Sequence, residues 1–269
     1  MSPLDLVLAG GAGFLAGGVN ALAGGGTLIS FPVLIALGLP PVSANVTNTV
    51  ALSPGYLGGA LSQRAAIEAQ SWRVRRLAVV AGIGGLLGSV LLLVTRDSTF
   101  RKLIPALMFV ATLLLASEDR IRQALRIGQP VASRGSGLRT IAAEGPAHRR
   151  DPWWLAVPVL VVAIYGGYFG AGLGIMLLAV LGIVLHEPLP RLNALKQVLA
   201  LVINTTAALF FLTSGKVYWS VALVMAITSL LGGGVGGRLA GSVKPERLRV
   251  IVVTIGFTVS IVYAIRTWF

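Results

Sequence analysis

Two clusters of small and polar residues, each set inside a long apolar run, are the positions in this sequence that could do chemistry. In the first, Gly24, Gly25 and Gly26 precede Thr27, and Asn45, Thr47, Asn48 and Thr49 follow. In the second, Gly170 and Gly172 flank Ala171; Asn193, Lys196 and Gln197 follow, then Asn204, Thr205 and Thr206. Clustered glycines interrupt a helix, and irregular backbone at membrane depth is tolerated only inside protein or beside water. Each break is therefore expected to adjoin a buried cavity and to expose the N-terminal end of a short helix. The unpaired N–H groups and partial positive charge of such an end suit an anion. Lys196 is an ionisable residue in an apolar run, which is costly and usually functional, and its charge suits an anion too. Purely structural roles compete at every one of these positions. Small residues let membrane helices pack closely, a lysine near the start of a span can reach the interface, and asparagines can tie one helix to another.

The elements that position these residues are apolar blocks. They cover about 4–38 (broken by the glycines), 42–63, 77–95, 102–117, 153–185 (broken again), 192–213, 217–237 and 248–266. Blocks of about 20 apolar residues are long enough to cross a bilayer as helices. The 269-residue chain is 55% hydrophobic and 12% charged, with a mean hydropathy of +0.86, whereas a soluble domain carries about 25% charged residues. No alternating strands of the kind a β-barrel needs are present. The expected class is an all-α polytopic membrane protein.

The net charge of +13 does not point to nucleic acid. The arginines cluster between apolar blocks, where they orient a membrane protein, and no aromatic-and-basic groove accompanies them. Arg64, Arg73, Arg75 and Arg76 form one basic connection. Residues 118–152 form a long polar stretch with Arg120, Arg122, Arg126, Arg134, Arg139, Arg149 and Arg150, read as a mobile cytoplasmic loop. There is no cysteine, and the two histidines, His148 and His186, cannot make a metal site. No cofactor is expected. The start lacks the positive region of a signal peptide, despite the cleavage-like Ala21, Leu22 and Ala23, and is read as part of the mature fold.

An enzyme is not expected. Gly215 and Lys216 lack the upstream glycine of a phosphate-binding loop. Gly11, Ala12, Gly13, Phe14, Leu15 and Ala16 match a dinucleotide fingerprint only loosely and have no strand before them. His186 and Glu187 read as a solvated pair in a turn. No Asp or Glu lies deep in a predicted span, so the usual proton relay is missing. Export of an anion from a negative-inside cell gains about 2.3 kcal/mol per charge per 100 mV and needs no such relay.

The two halves resemble each other. Shifted by 148 positions, 43–116 overlays 191–264 without a gap. Asn45 then meets Asn193, and Asn48 meets Lys196. Gly84, Gly85 and Gly88 meet Gly232, Gly233 and Gly236; Arg101 meets Arg249 and Phe109 meets Phe257. For these paired glycines, close helix packing is the expected role. Placing the basic connections at 64–76, 118–152 and 238–249 on the cytoplasmic side makes the halves inverted. Each glycine-broken block must then begin and end on one side, as a re-entrant hairpin or a short-helix pair, with three spanning helices after it. The turn at 96–102 falls outside. The organisation is an N-terminal repeat (1–117), an Arg-rich loop (118–152) and a C-terminal repeat (153–269). A parallel repeat of eight simple spans is the alternative.

The run from Gly17 through Asn20, Gly24, Gly25, Gly26, Thr27, Ser30, Phe31 and Pro32 to Leu34, followed by Gly38, Asn45 and Asn48, resembles the sulfite exporter TauE/SafE family, also called the toluene sulfonate uptake permease family. The run from Gly167 to Gly174, then Asn193, Ala194, Leu195 and Lys196, is similar to that family's second repeat. The turn from Gly215 to Trp219 and the glycines of 232–237 fit as well. The resemblance implies transport, usually outward, of sulfite, sulfoacetate, sulfonates or other organic anions. The bacterial inner membrane is the implied location. The site expected from both lines of reasoning comprises Gly24, Gly25, Gly26, Thr27, Asn45, Asn48, Gly170, Gly172, Asn193, Lys196 and Asn204. Its partners are a small anion and the bilayer; a homo-oligomer is left open. A passive anion channel and a membrane scaffold docking partners through the Arg-rich loop are the competing functions.

Overall fold

The computed structural model describes residues 1–22, 25–61, 63–127, 151–185, 187–239 and 245–268, and among these residues the fold is helical with no strand. The first half comprises α1 (Pro3–Leu22), α2 (Thr27–Ala36), α3 (Pro41–Leu61), the short α4 (Arg64–Glu68), α5 (Ser71–Val94) and α6 (Asp97–Ala116). After α7 (Glu118–Ile127), the second half comprises a 3-10 turn (Trp153–Leu155), α8 (Ala156–Tyr168), α9 (Leu173–Val184), α10 (Leu189–Leu212), α11 (Trp219–Leu239) and α12 (Pro245–Trp268). By length and composition, α5, α6, α10, and the segments 219–236 of α11 and 249–266 of α12 can each cross a membrane.

Local sequence explains most boundaries. Ser2 and Asp5 cap α1 reciprocally: the Asp5 N–H donates to Ser2 Oγ and the Ser2 N–H to Asp5 Oδ2, with Pro3 at the first helical position. Both glycine-rich segments end one helix and start another, as their composition requires. The remaining starts repeat with the sequence shift. Pro41 and Leu189, Ser71 and Trp219, and Asp97 and Pro245 begin α3 and α10, α5 and α11, and α6 and α12, each pair 148 positions apart.

The packing repeats likewise. α1 lies along α11 and α5 along α8; α3 packs on both α10 and α11, α5 on α10, and α6 on α12. Glycine seams bring the backbones together. A methyl group at Gly88 would overlap the Ile164 carbonyl oxygen, and one at Gly232 would overlap that of Phe14. The close-packing role expected for these glycines holds there; Gly233 has only ordinary room, its nearest neighbour being 3.7 Å from an added methyl.

Hydrogen bonds and ion pairs gather the helix ends into two groups. The Val42 N–H donates to Asp97 Oδ1 at 2.9 Å, and the Tyr218 N–H to Thr47 Oγ1 at 3.1 Å. These join the starts of α3, α6 and α11. In the other group, Arg73 near the start of α5 holds Asp151 through two bonds of 2.7 and 2.8 Å and Glu187 at 3.2 Å. The Gln70 side chain donates to the Arg191 carbonyl at 2.9 Å. Separately, Arg249 of α12 pairs with Glu118 and Asp119 of α7.

Two expectations are corrected. Glu187 is not a solvated turn residue: its side chain is 13% exposed and shared by Arg73 and Arg191. Carboxylates this buried need paired cations, and the turn is drawn in to meet Arg73 and Arg191; His186 lies outside the described residues. The stretch 118–152 is not a loop throughout. Its first ten residues form α7, whose Glu118 and Asp119 sit at the helix N-terminus and on Arg249 while Ile121 packs on the core, a local charge arrangement that favours helix.

Candidate functional site

The first break is held by Asn20, whose Oδ1 accepts the Gly26 N–H at 2.8 Å. That bond replaces a helical one where α1 has ended. A methyl group at Gly26 would overlap the Ala16 carbonyl oxygen, so only glycine fits against the end of α1. Gly25 abuts Leu115 of α6 and Val252 of α12, and Thr27 is buried. Gly24 lies outside the described residues. One turn into α2, the fully buried Ser30 donates its hydroxyl to Asn48 Oδ1 at 2.5 Å, with the Gly26 carbonyl 3.2 Å from the same Oγ.

The second break turns on Gly170 (φ +76°) and Gly172 (φ +74°), a left-handed backbone that costs most residues about 1–2 kcal/mol and glycine nothing. The Tyr165 hydroxyl donates to the Ala171 carbonyl at 2.7 Å and fixes the loop. Asn45, fully buried on α3, donates Nδ2 to the Tyr168 carbonyl at 2.8 Å. Its Oδ1 is buried with no hydrogen-bond partner, and so is the Oδ1 of Asn193, its counterpart on α10.

One turn of α3 therefore touches both breaks: Asn48 reaches the first through Ser30, and Asn45 reaches the second. Aromatic rings close the space between them. Phe31 of α2 meets Phe169 edge-on at 5.3 Å, and Phe100 of α6 stacks edge-on against Phe31, Tyr168 and Phe169 at 5.6–6.4 Å. Lys196 lies by the second break, with its Cδ 3.7 Å from where a methyl on Gly174 would be, in the first turn of α9. Asn204 is engaged elsewhere: Nδ2 donates to the Ala200 carbonyl at 2.9 Å, and its own carbonyl accepts the Ser53 hydroxyl at 3.2 Å.

The site expected from sequence left out Asn20, Ser30, Tyr165 and the three phenylalanines, although Asn20, Ser30, Phe31 and Phe169 lie in the runs that carry the family resemblance. Ser30 carried a signal, a polar residue one turn after the break. The aromatic closure carried none, because Phe31, Phe100 and Phe169 meet only through tertiary packing. A cavity of about 1040 Å³ opens elsewhere, between α2, α6 and α12, and none of the expected site residues lines it.

A family model described as Sulfite exporter TauE/SafE matches residues 9–263. The chain is 28% identical over 268 aligned residues to a "Probable membrane transporter protein" of Haemophilus influenzae, covering 96% of this chain and 94% of the relative. It is 24% identical to "Probable membrane transporter protein YfcA" of Escherichia coli (strain K12), covering 97% and 90%. It is likewise 24% identical to "Probable membrane transporter protein ORF9" of Sinorhizobium sp, covering 93% and 88%. No solved structure gives a significant match.

Proposed function

Because this chain belongs to the sulfite exporter TauE/SafE family, a family of multi-pass membrane transport proteins, we propose that it carries small sulfur-containing or organic anions, such as sulfite, sulfoacetate or sulfonates, outward across the bacterial inner membrane. The observation that carries this reading is the pair of glycine breaks coupled through Asn45 and Asn48. Each break begins a short helix, α2 or α9, and such ends favour anions. Lys196 adds a positive charge by the first turn of α9. Anion, Lys196 and helix end together form the binding unit, with Asn45, Asn48 and Asn193 orienting the ligand.

The mechanism proposed with it is alternating access of two inverted halves. The helix starts favour it: those of α3, α6 and α11 share one group of end contacts and those of α5 and α10 another, while that of α12 meets α7, which follows the end of α6. The cluster of Arg73 and Arg191 and the separate pair of Arg249 with α7 are both read as cytoplasmic. The edge-to-face packing of Phe31, Phe100 and Phe169 between the breaks favours a carrier with a closed centre over an open channel.

Thermal stabilisation of the purified protein by sulfite, methanesulfonate, sulfoacetate and simple carboxylates tests the anion class. Counterflow in proteoliposomes tests the mechanism. A sulfur anion that raises Tm and drives counterflow supports the reading. Conductance without counterflow would replace the carrier by a channel.

A further inference from the structure

The cavity of about 1040 Å³ between α2, α6 and α12 has apolar walls, including Pro32, Ile104 and Val259, and bears Arg101, Tyr263 and Arg266. Asp97 also lines it, but its carboxylate accepts the Val42 N–H. Among the described residues, no carboxylate pairs with Arg101 or Arg266.

The internal repeat shows what such a place holds when it is filled. Shifted by 148 positions, Arg101 becomes Arg249 and Glu118 becomes Arg266. In the second half, Arg249 is buried, and Glu118 and Asp119 of α7 pair with it. α7 itself lies on α9, the counterpart of α2, and its Ile121 packs on the core. An amphipathic element with an acidic first turn thus occupies the counterpart position. In the first half the carboxylate is replaced by a second arginine, and among the described residues no helix covers the place.

We propose that this cleft seats an anionic phospholipid, its phosphate between Arg101 and Arg266 and an acyl chain along the apolar wall. Both guanidiniums line the same cleft, and a phosphate can accept charge-assisted, bidentate hydrogen bonds from them. Apart from Thr258 and the engaged Asp97, the wall beyond the arginines and Tyr263 is apolar, and a hydrocarbon chain buries well there. The bilayer supplies such a molecule at high local concentration, which favours lipid over a partner's acidic helix.

The test uses the full chain in dodecyl maltoside, with Tm measured on adding phosphatidylglycerol, phosphatidylcholine or free glycerol phosphate. Phosphatidylglycerol alone is expected to raise Tm, by about 4 °C. Arg101→Gln/Arg266→Gln should lose that shift while keeping its Tm in phosphatidylcholine. Arg266→Glu, which recreates the arrangement of Arg249 with Glu118, should lose the phosphatidylglycerol shift and be more stable in phosphatidylcholine. Equal shifts with both lipids, or an undiminished phosphatidylglycerol shift in both variants, would overturn the proposal. So would stabilisation by glycerol phosphate alone, which would mark a soluble-anion vestibule. Stabilisation only by an added acidic amphipathic peptide would assign the cleft to a protein partner and overturn it as well.

Discussion

The Asn45 side chain on α3 donates its N–H to the main-chain carbonyl of Tyr168 at 2.8 Å, across 123 positions of sequence. That bond ties the first polar helix of one half to the glycine break of the other. Removing it leaves a buried carbonyl without a partner, which costs about 1–3 kcal/mol. Asn45→Ala is expected to lower Tm and slow transport. Asn193→Ala removes a carboxamide whose buried oxygen has no partner, so it should cost less stability. Unfolding curves of both variants check this, and an equal loss would sink the asymmetry.

Lys196 should matter to affinity more than to folding. Lys196→Ala is expected to weaken anion binding by on the order of tenfold, about 1.4 kcal/mol, with Tm in the absence of anion little changed. Titration of Tm against methanesulfonate reads the difference. Unchanged binding would remove Lys196 from the site.

The glycine seams make a steric prediction. Gly88→Ala and Gly232→Ala drive a methyl group into backbone and should each cost about 1–3 kcal/mol or more, through overpacking. At Gly11 and Gly234 an added methyl meets nothing within 4 Å, and alanine there should be neutral. Yield of monodisperse protein and Tm separate the two classes.

Arg73 neutralises both Asp151 and Glu187 while 6% exposed. Arg73→Ala strands Asp151 and leaves Glu187 to Arg191 alone, and is expected to cost about 3–5 kcal/mol. Expression and Tm of this variant beside Arg64→Ala, whose pair with Glu68 is solvent-exposed, make the comparison. The Arg64 change should be near neutral.

The chain has no cysteine, so single introduced cysteines report topology cleanly. If the halves are inverted, Ser98→Cys and Thr213→Cys should react with an impermeant maleimide from outside the cell, and Ser71→Cys only after lysis. Labelling of Ser71→Cys and Ser98→Cys from the same side would rule the arrangement out.

The sequence by itself determined the apolar blocks, the two glycine breaks and the 148-position repeat, because helix formation in lipid is a local matter. Each span must satisfy its own backbone, so composition alone marks where helices run and where they stop. It also marked Asn45, Asn48 and Lys196 as polar residues in costly places. Which of these meet was decided only by tertiary structure. Nothing local in Asn45 says that its partner is Tyr168, or that Asn48 reaches the first break through Ser30. The same holds for Arg73, Asp151 and Glu187, which look like surface charge in sequence and become a buried cluster because three separate segments converge. Their pairing, like the cleft between Arg101 and Arg266, depends on which helix ends pack together, and that is set by shape and burial summed over the whole bundle.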